Sequence, residues 1–327
     1  MSHFTDLIDL AAERLGGAVL VANDEFFAPK EALLRPGPAV WKEGEYTDRG
    51  KWMDGWETRR RRTPGHDWCV VRLGLPGAIH GVVVDTSFFK GNYPESCAIE
   101  TASVNGTPAT EELTDERKTR WATILERSPL KGDSKNEFAI SGAPRATHFR
   151  FSIYPDGGVA RLRVYGEPAF VSRAPAESEL DLAAMENGGL VVACSDMFFG
   201  HRHNLILPGR STHMGDGWET KRRRGPGNDW SVIRLAARGV IHRVEIDTDH
   251  FKGNAPGSAR IETLETSAKG IAEPKGEWRT LVPESRLQPH TRHRFSEMLH
   301  DEPATHARLS IYPDGGIARL RLYGMLS

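Results

Sequence analysis

Two stretches of this 327-residue chain concentrate side chains able to do chemistry. The first runs from Asp54 to Trp68 as DGWETRRRRTPGHDW. Asp54, Glu57 and Asp67 supply carboxylates, Arg59 to Arg62 supply fork-shaped donors, and Trp56 and Trp68 are expected as walls. A pocket for a small anion needs all three kinds of group. The second stretch, DTSFFKGN, places Asp85 and Thr86 at the end of a strand and then offers Lys90, a glycine, and Asn92, whose amide both donates and accepts. Taken singly, a charge run is an ordinary solvated face, and FKGN is equally readable as a solvated turn.

Recurrence changes the weight of both stretches. Asp54 to Leu73 and Asp216 to Leu235 are identical at fifteen of twenty positions, so Asp216, Trp218, Glu219, Arg223 and Asp229 repeat the first cluster. DTDHFKGN repeats the second as Asp247, Thr248, Lys252 and Asn254. SIYPDGGVARLRVYG from Ser152 matches SIYPDGGIARLRLYG from Ser310, and the starts match at Asp9 and Asp181. Self-similarity on this scale is a tandem duplication of one domain, expected at 1–170 and 171–327 with the linker in Glu167 to Glu177. The copies are not equal. His66 is answered by Asn228, and the segment Pro38 to Met53, with Trp41 and Tyr46, is largely missing from the second copy.

Several chemistries find little support. Lys+Arg at 43 against Asp+Glu at 44 leaves no net field to recruit nucleic acid or membrane, and Asp54, Glu57 and Asp67 flank the arginine run. No nucleic-acid or membrane partner is expected. The three cysteines, Cys69, Cys97 and Cys194, suit reduced, buried thiols, and Cys69 is matched by Ser231, which disfavours a thiol nucleophile. There is no G-x-S-x-G elbow, HExxH or CxxC. Only His80/His242 and His148/His306 correspond between copies, so no metal site or cofactor is expected, although a divalent metal stays open. The first residues lack a signal peptide's basic start and apolar core, and no run reaches the roughly 20 apolar residues of a membrane span. A cytoplasmic protein is expected.

The elements that must position these residues read mostly as strands. HGVVVDT and HRVEIDT alternate and end at Asp85 and Asp247. Phe149, Phe151 and Ile153 alternate with polar residues, PDGG follows, and Leu162 and Val164 continue the alternation, which predicts a hairpin with one apolar face. Short helical starts are expected at Asp6 to Leu15 and Glu177 to Glu186. Turn-punctuated strands with so little helix predict an all-β chain of two antiparallel sandwiches or jelly rolls.

The strings DxxxERLGG, DEFFAP, GKWMDGWETRRRR, PGHDW, DTSFFKGNYP and IYPDGGxARLRxYG together closely resemble the allantoicase family, over nearly the whole chain. The resemblance implies a galactose-binding-like jelly roll in each copy, hydrolysis of allantoate to ureidoglycolate and urea in purine catabolism, and a homo-oligomer. Allantoate is a carboxylate bearing two ureido arms on one carbon. Arg59, Arg61 and Arg223 suit its carboxylate; Asp54, Asp67, Asp216 and Asp229 can accept from ureido N–H groups; Asn92, Asn254, Thr86 and Thr248 can satisfy its carbonyls; Trp56 and Trp218 can wall it. A general acid must protonate the departing urea while a base activates water. Lys90 or His66 is the candidate acid, with Lys252 in the second copy, and Glu57 or Asp85 the candidate base, with Glu219 and Asp247. The rival reading is a tandem ligand- or carbohydrate-binding protein without catalysis, since a jelly roll alone does not imply chemistry. A second copy serving only assembly is a further possibility.

Overall fold

The structure is a computed structural model that describes residues 3–170, 178–267 and 270–327. Seven residues of the expected linker, 171–177, lie outside the described residues. The chain divides into two compact units, Met1–Glu167 and Pro168–Ser327. Each unit contains its own eight-stranded sheet and a short two-stranded ribbon, all paired antiparallel in the registers described, and the chain is all-β in tandem as the sequence predicts.

One long strand organises each unit: Asp67–Asp85 in the first and Asp229–Asp247 in the second. Its leading half pairs with Arg145–Tyr154 on one side and Ala18–Ala22 on the other. Between Arg72 and Gly77 the ladder is interrupted, at the sequence LGLPG, which cannot hold a regular central strand. Beyond this corner the partners change. Gly81–Asp85 pairs with Lys135–Ala139, and in the second copy Gly239–Asp247 pairs with Leu326–Arg319. The strand thus passes from one layer of a sandwich to the other, and the core lies between the layers. Trp56, Val70, Val82, Val84, Phe149, Phe151 and Leu162 are fully buried there, as are their second-copy counterparts such as Trp218, Val244 and Leu309. Each such side chain contributes on the order of 1.5–3 kcal/mol.

Two local expectations are corrected. Arg145–Tyr154 and Arg161–Pro168 do not form a hairpin; they sit on different sides of the long strand. Apolar alternation records only that a strand has one buried face, and two strands facing one core across a sandwich carry the same pattern as two neighbours. The expected helical starts are also broken up. Asp9 lies in a two-residue strand against Tyr165, flanked by short 3-10 turns Phe4–Asp6 and Glu13–Leu15. The second copy has the strand Leu180–Asp181 and the turn Met185–Asn187. The side chain of Asp9 accepts from the backbone N–H of Ala11 and Val164, competing with helix formation.

Candidate active site

The segment after Tyr154 explains where Glu57 is held. Instead of turning back directly, the chain makes a two-residue strand, Gly158–Val159, against Trp56–Glu57, with Glu57 opposite Gly158. A side chain at 158 would place its Cβ 1.9 Å from the buried Phe89 ring, so only glycine lets this ribbon lie on that ring. The other edge of Glu57 is also clamped: its N–H donates to Ala28 O and its carbonyl accepts from Phe27 and Ala28. Trp56 anchors the ribbon from within, fully buried, its indole N–H donating to Asp24 O at 2.8 Å.

The FKGN loop meets Glu57 from the other side. Thr86 Oγ1 donates to Lys131 O and Ser134 O, and Asp85 Oδ1 accepts from the N–H and hydroxyl of Ser87. Phe89 plugs the core. Phe88 is held at φ 70°, a left-handed conformation that is strained for a bulky residue, with its N–H donating to Asp133. This scaffolding delivers Asn92, whose amide donates to Glu57 Oε1 at 2.7 Å. Burial pushes the Glu57 carboxyl above its ordinary value, against the opposing pull of that hydrogen bond.

Glu57 and Asn92 line a cleft of about 580 Å³ together with Phe27, Phe88, Lys90 and Gly91, a volume within the range of small-molecule sites. Its remaining lining, Trp41, Lys51 and Met53, comes from the first-copy insertion, which folds as a small hairpin of Tyr46–Thr47 on Gly50–Lys51. The Trp41 ring packs 5.7 Å from that of Phe88. A wider groove adjoins, sharing Phe27, Glu57, Gly91 and Asn92 with the cleft and carrying Arg59 to Arg62. The second copy repeats the central pair: Asn254 donates to Glu219 Oε1 at 2.5 Å, and Glu219 sits opposite Gly316.

A family model described as the allantoicase repeat matches residues 8–169 and 180–327. The chain belongs to the allantoicase family. It is 49% identical to the probable allantoicase 1 of Burkholderia mallei, covering 98% of this chain and 94% of that protein. Identity to the allantoicase of Dictyostelium discoideum is 45%, over 98% of this chain and 87% of the relative. The crystal structure of allantoicase from Saccharomyces cerevisiae superposes with a TM-score of 0.78 at 34% identity, covering 97% of this chain and 92% of that one.

Within this allantoicase fold, the residues singled out from sequence separate into two groups. Glu57, Lys90 and Asn92 come together in one cleft. Most of the others are engaged in ion pairs and hydrogen bonds within their own unit. Asp54 is buried, receives Arg161 at 2.6 Å and the Val40 N–H at 2.9 Å, and pairs with Arg35. Burial acts to raise its carboxyl, but the Arg161 and Val40 hydrogen bonds and the Arg161 and Arg35 charges hold it below the ordinary range. Asp216 makes the same bond to Arg319 at 2.8 Å. Arg59 pairs with Asp24, Arg61 with Asp67, and Arg223 with Asp229, so these arginines meet protein carboxylates. Trp56 and Trp218 are core residues rather than walls, because each indole N–H is satisfied inside its own unit. Thr248 donates to Gln288 O and Thr291 O, and Asp247 Oδ1 accepts from the Asp249 N–H, repeating the scaffolding of Thr86 and Asp85. His66 stacks on Tyr154 with ring centres 4.6 Å apart, away from the cleft lining. Burial, then the charges of Arg150 and Arg61, keep it below its ordinary value. Lys252 is exposed beside Asn254. Among the described residues no three His, Cys, Asp or Glu side chains converge as metal ligands.

Sequence reasoning passes over Lys51 and Phe88. Lys51 belongs to the string GKWMDGWET that carries the family resemblance, but its second-copy position holds His213, so recurrence does not mark it. Phe88 is replaced by His250, which shares its strained backbone at φ 69°; the conformation, not the residue type, is what recurs.

Proposed function

We propose that the chain hydrolyses allantoate to ureidoglycolate and urea, the allantoicase reaction of purine catabolism, with Glu57 as the base of the first-copy cleft. The observation that carries the reading is the half-buried carboxylate of Glu57, oriented by Asn92 in the lining of a cleft that also holds Lys90. Burial makes Glu57 a stronger base than a solvated carboxylate.

In this reading Lys90 delivers a proton to the departing ureido nitrogen as the C–N bond breaks. The lone pair of the remaining ureido nitrogen closes a C=N bond to the central carbon. Glu57 takes a proton from water as its oxygen adds to that carbon, giving ureidoglycolate, and the proton returns to Lys90 through solvent. Asn92 both fixes the Glu57 rotamer and offers its carbonyl to a ureido N–H. Glu219, Lys252 and Asn254 are the corresponding second-copy groups. Asp85, Asp247, Thr86 and Thr248 act as positioning residues through the loops they brace, and the two buried tryptophans through the ribbons they anchor.

Urea release from allantoate by the Glu57→Gln variant tests the assignment. Removing a general base costs about 10²–10⁴-fold in turnover; near-native turnover in a folded Glu57→Gln protein would overturn it. The same reading places the chain in the cytoplasm as a homo-oligomer. It is supported by the buried thiols of Cys69 and Cys97, the latter pushed up to about 12 by burial and so inert, and by family likeness. Among the described residues no helix is long and apolar enough to cross a membrane. A light-scattering mass equal to one chain would contradict the oligomer.

A further inference from the structure

We infer that Lys51 is the specificity-determining residue that receives the substrate's carboxylate, and that anionic-substrate recognition is therefore confined to the first copy. The inference rests on the Glu57 cleft being the site of hydrolysis.

Charge accounting within the site leads to Lys51. Of the cations beside the cleft, Arg35 and Arg161 are committed to Asp54, Arg59 to Asp24 and Arg61 to Asp67, while Arg60 and Arg62 lie in the adjoining groove and not in the cleft lining, whose cations are Lys51 and Lys90. Lys90 has Asp133 at 3.9 Å. Among the described residues no carboxylate lies within ion-pair distance of Lys51. Its ammonium instead sits 4.1 Å from the centre of the Trp41 ring, and that ring packs on Phe88. A cation held over an aromatic face is positioned without being neutralised, so the charge remains available to a ligand. The hairpin is itself fastened: Arg49 donates to Phe26 O at 2.9 Å, and the Trp52 N–H donates to Glu45 O. An oriented, unpaired cation thus faces the same cleft as the base and the amide. That is what a small substrate with one carboxylate at the reacting carbon requires.

The second copy keeps the Glu219–Asn254 pair but not this device. The register offset between copies falls from 172 at Asp24 to 162 at Asp54, so ten residues of the hairpin are gone: Trp41 has no counterpart, and the position of Lys51 is taken by His213, a shorter side chain without the ring that holds the lysine. In their place Arg210 and His290 are both paired with Asp249, and Phe199, the equivalent of Phe27, is left 62% exposed. A cation of the second copy is thereby consumed by an acidic residue that the first copy replaces with Ser87.

The test compares allantoate with its neutral carboxamide, diureidoacetamide, in the full chain. Lys51 is exposed, so Lys51→Met should fold. Its KM for allantoate should rise about tenfold to a hundredfold, the usual range for losing a charge-assisted bond, with kcat changed far less and carboxamide binding unchanged. Lys51→Arg should recover most of the loss. Equal weakening of acid and carboxamide would overturn the inference, since Lys51 would then be only a wall. So would an unchanged Lys51→Met together with an allantoate-selective loss in Arg60→Ala or Arg62→Ala, which would place the carboxylate in the adjoining groove. Glu57→Gln, run alongside, separates the two readings. Full turnover there fails the site itself, whereas a dead Glu57→Gln with an indifferent Lys51→Met fails only the carboxylate assignment.

Discussion

Asn92 offers a way to read Glu57 through its titration. The amide donates to the carboxylate and stabilises its charged form, opposing the upward push of burial. Asn92→Ala removes that hydrogen bond and leaves burial, so the Glu57 pKa rises further. Because the base must be ionised, the acidic limb of kcat/KM should move to higher pH, with activity near neutrality reduced and partly recovered as pH is raised. A limb that stays in place, or moves to lower pH, would remove Glu57 from the role of base. At this scale, internal repetition explains what was legible. Glu57, Lys90 and Asn92 stand out because each is kept in a second copy that has drifted elsewhere. Asp54, Thr86 and Trp56 stand out equally, for another reason: buried ion pairs, loop braces and core rings are retained as strictly as reacting groups. Residue type and recurrence do not distinguish a carboxylate facing a cleft from one facing an arginine.

At the scale of the element, the two-residue ribbon Gly158–Val159 sets the position of Glu57, and its glycine is the point at which it can be displaced. A Cβ at 158 meets Phe89 at 1.9 Å and one at 316 meets Phe251 at 1.9 Å. Gly158→Ala and Gly316→Ala should therefore destabilise their units by similar amounts, about 1–3 kcal/mol, the usual cost of overpacking a core. Chemical denaturation of each variant measures this. Turnover should separate them: displacing the ribbon under Glu57 lowers kcat, whereas the Gly316 change leaves allantoate hydrolysis in the first-copy cleft. Equal loss of kcat in both would mean that both copies turn over substrate. The PDGG signal is visible in sequence as a turn, but its consequence is not. A turn motif reports local backbone and says nothing of the ring on which the following residues must lie, so a hairpin is expected where the chain instead crosses the sandwich.

Over the whole molecule, duplication also repeats a liability. Asp9 and Asp181 tie the first strand of each unit to its last: Asp9 accepts from Val164 N–H at 2.9 Å and Asp181 from Leu322 N–H at 2.9 Å. Burial raises each carboxyl to about 6, only partly opposed in Asp9 by the Val164 N–H and Arg163, and in Asp181 by Arg321 and the Leu322 N–H. The sign is opposite to that of Asp54 and Asp24, which are held below the ordinary range and whose contribution is lost as pH falls. A folded-state value near 6 against 3.8 unfolded means the native chain binds more protons between those values. The stabilising contribution is complete below pH 3.8 and is lost as pH rises through about 6. At about 1.36 kcal/mol per pKa unit, its upper bound is roughly 3 kcal/mol per copy. Asp9→Asn and Asp181→Asn keep the acceptor oxygen and remove the titration. The double variant should gain stability relative to the native chain on going from pH 5 to pH 7, measured by urea denaturation at both values. Parallel stability profiles for the two proteins would show that the buried carboxyls bind protons no more tightly folded than unfolded, and that the paired arginines fully offset their burial.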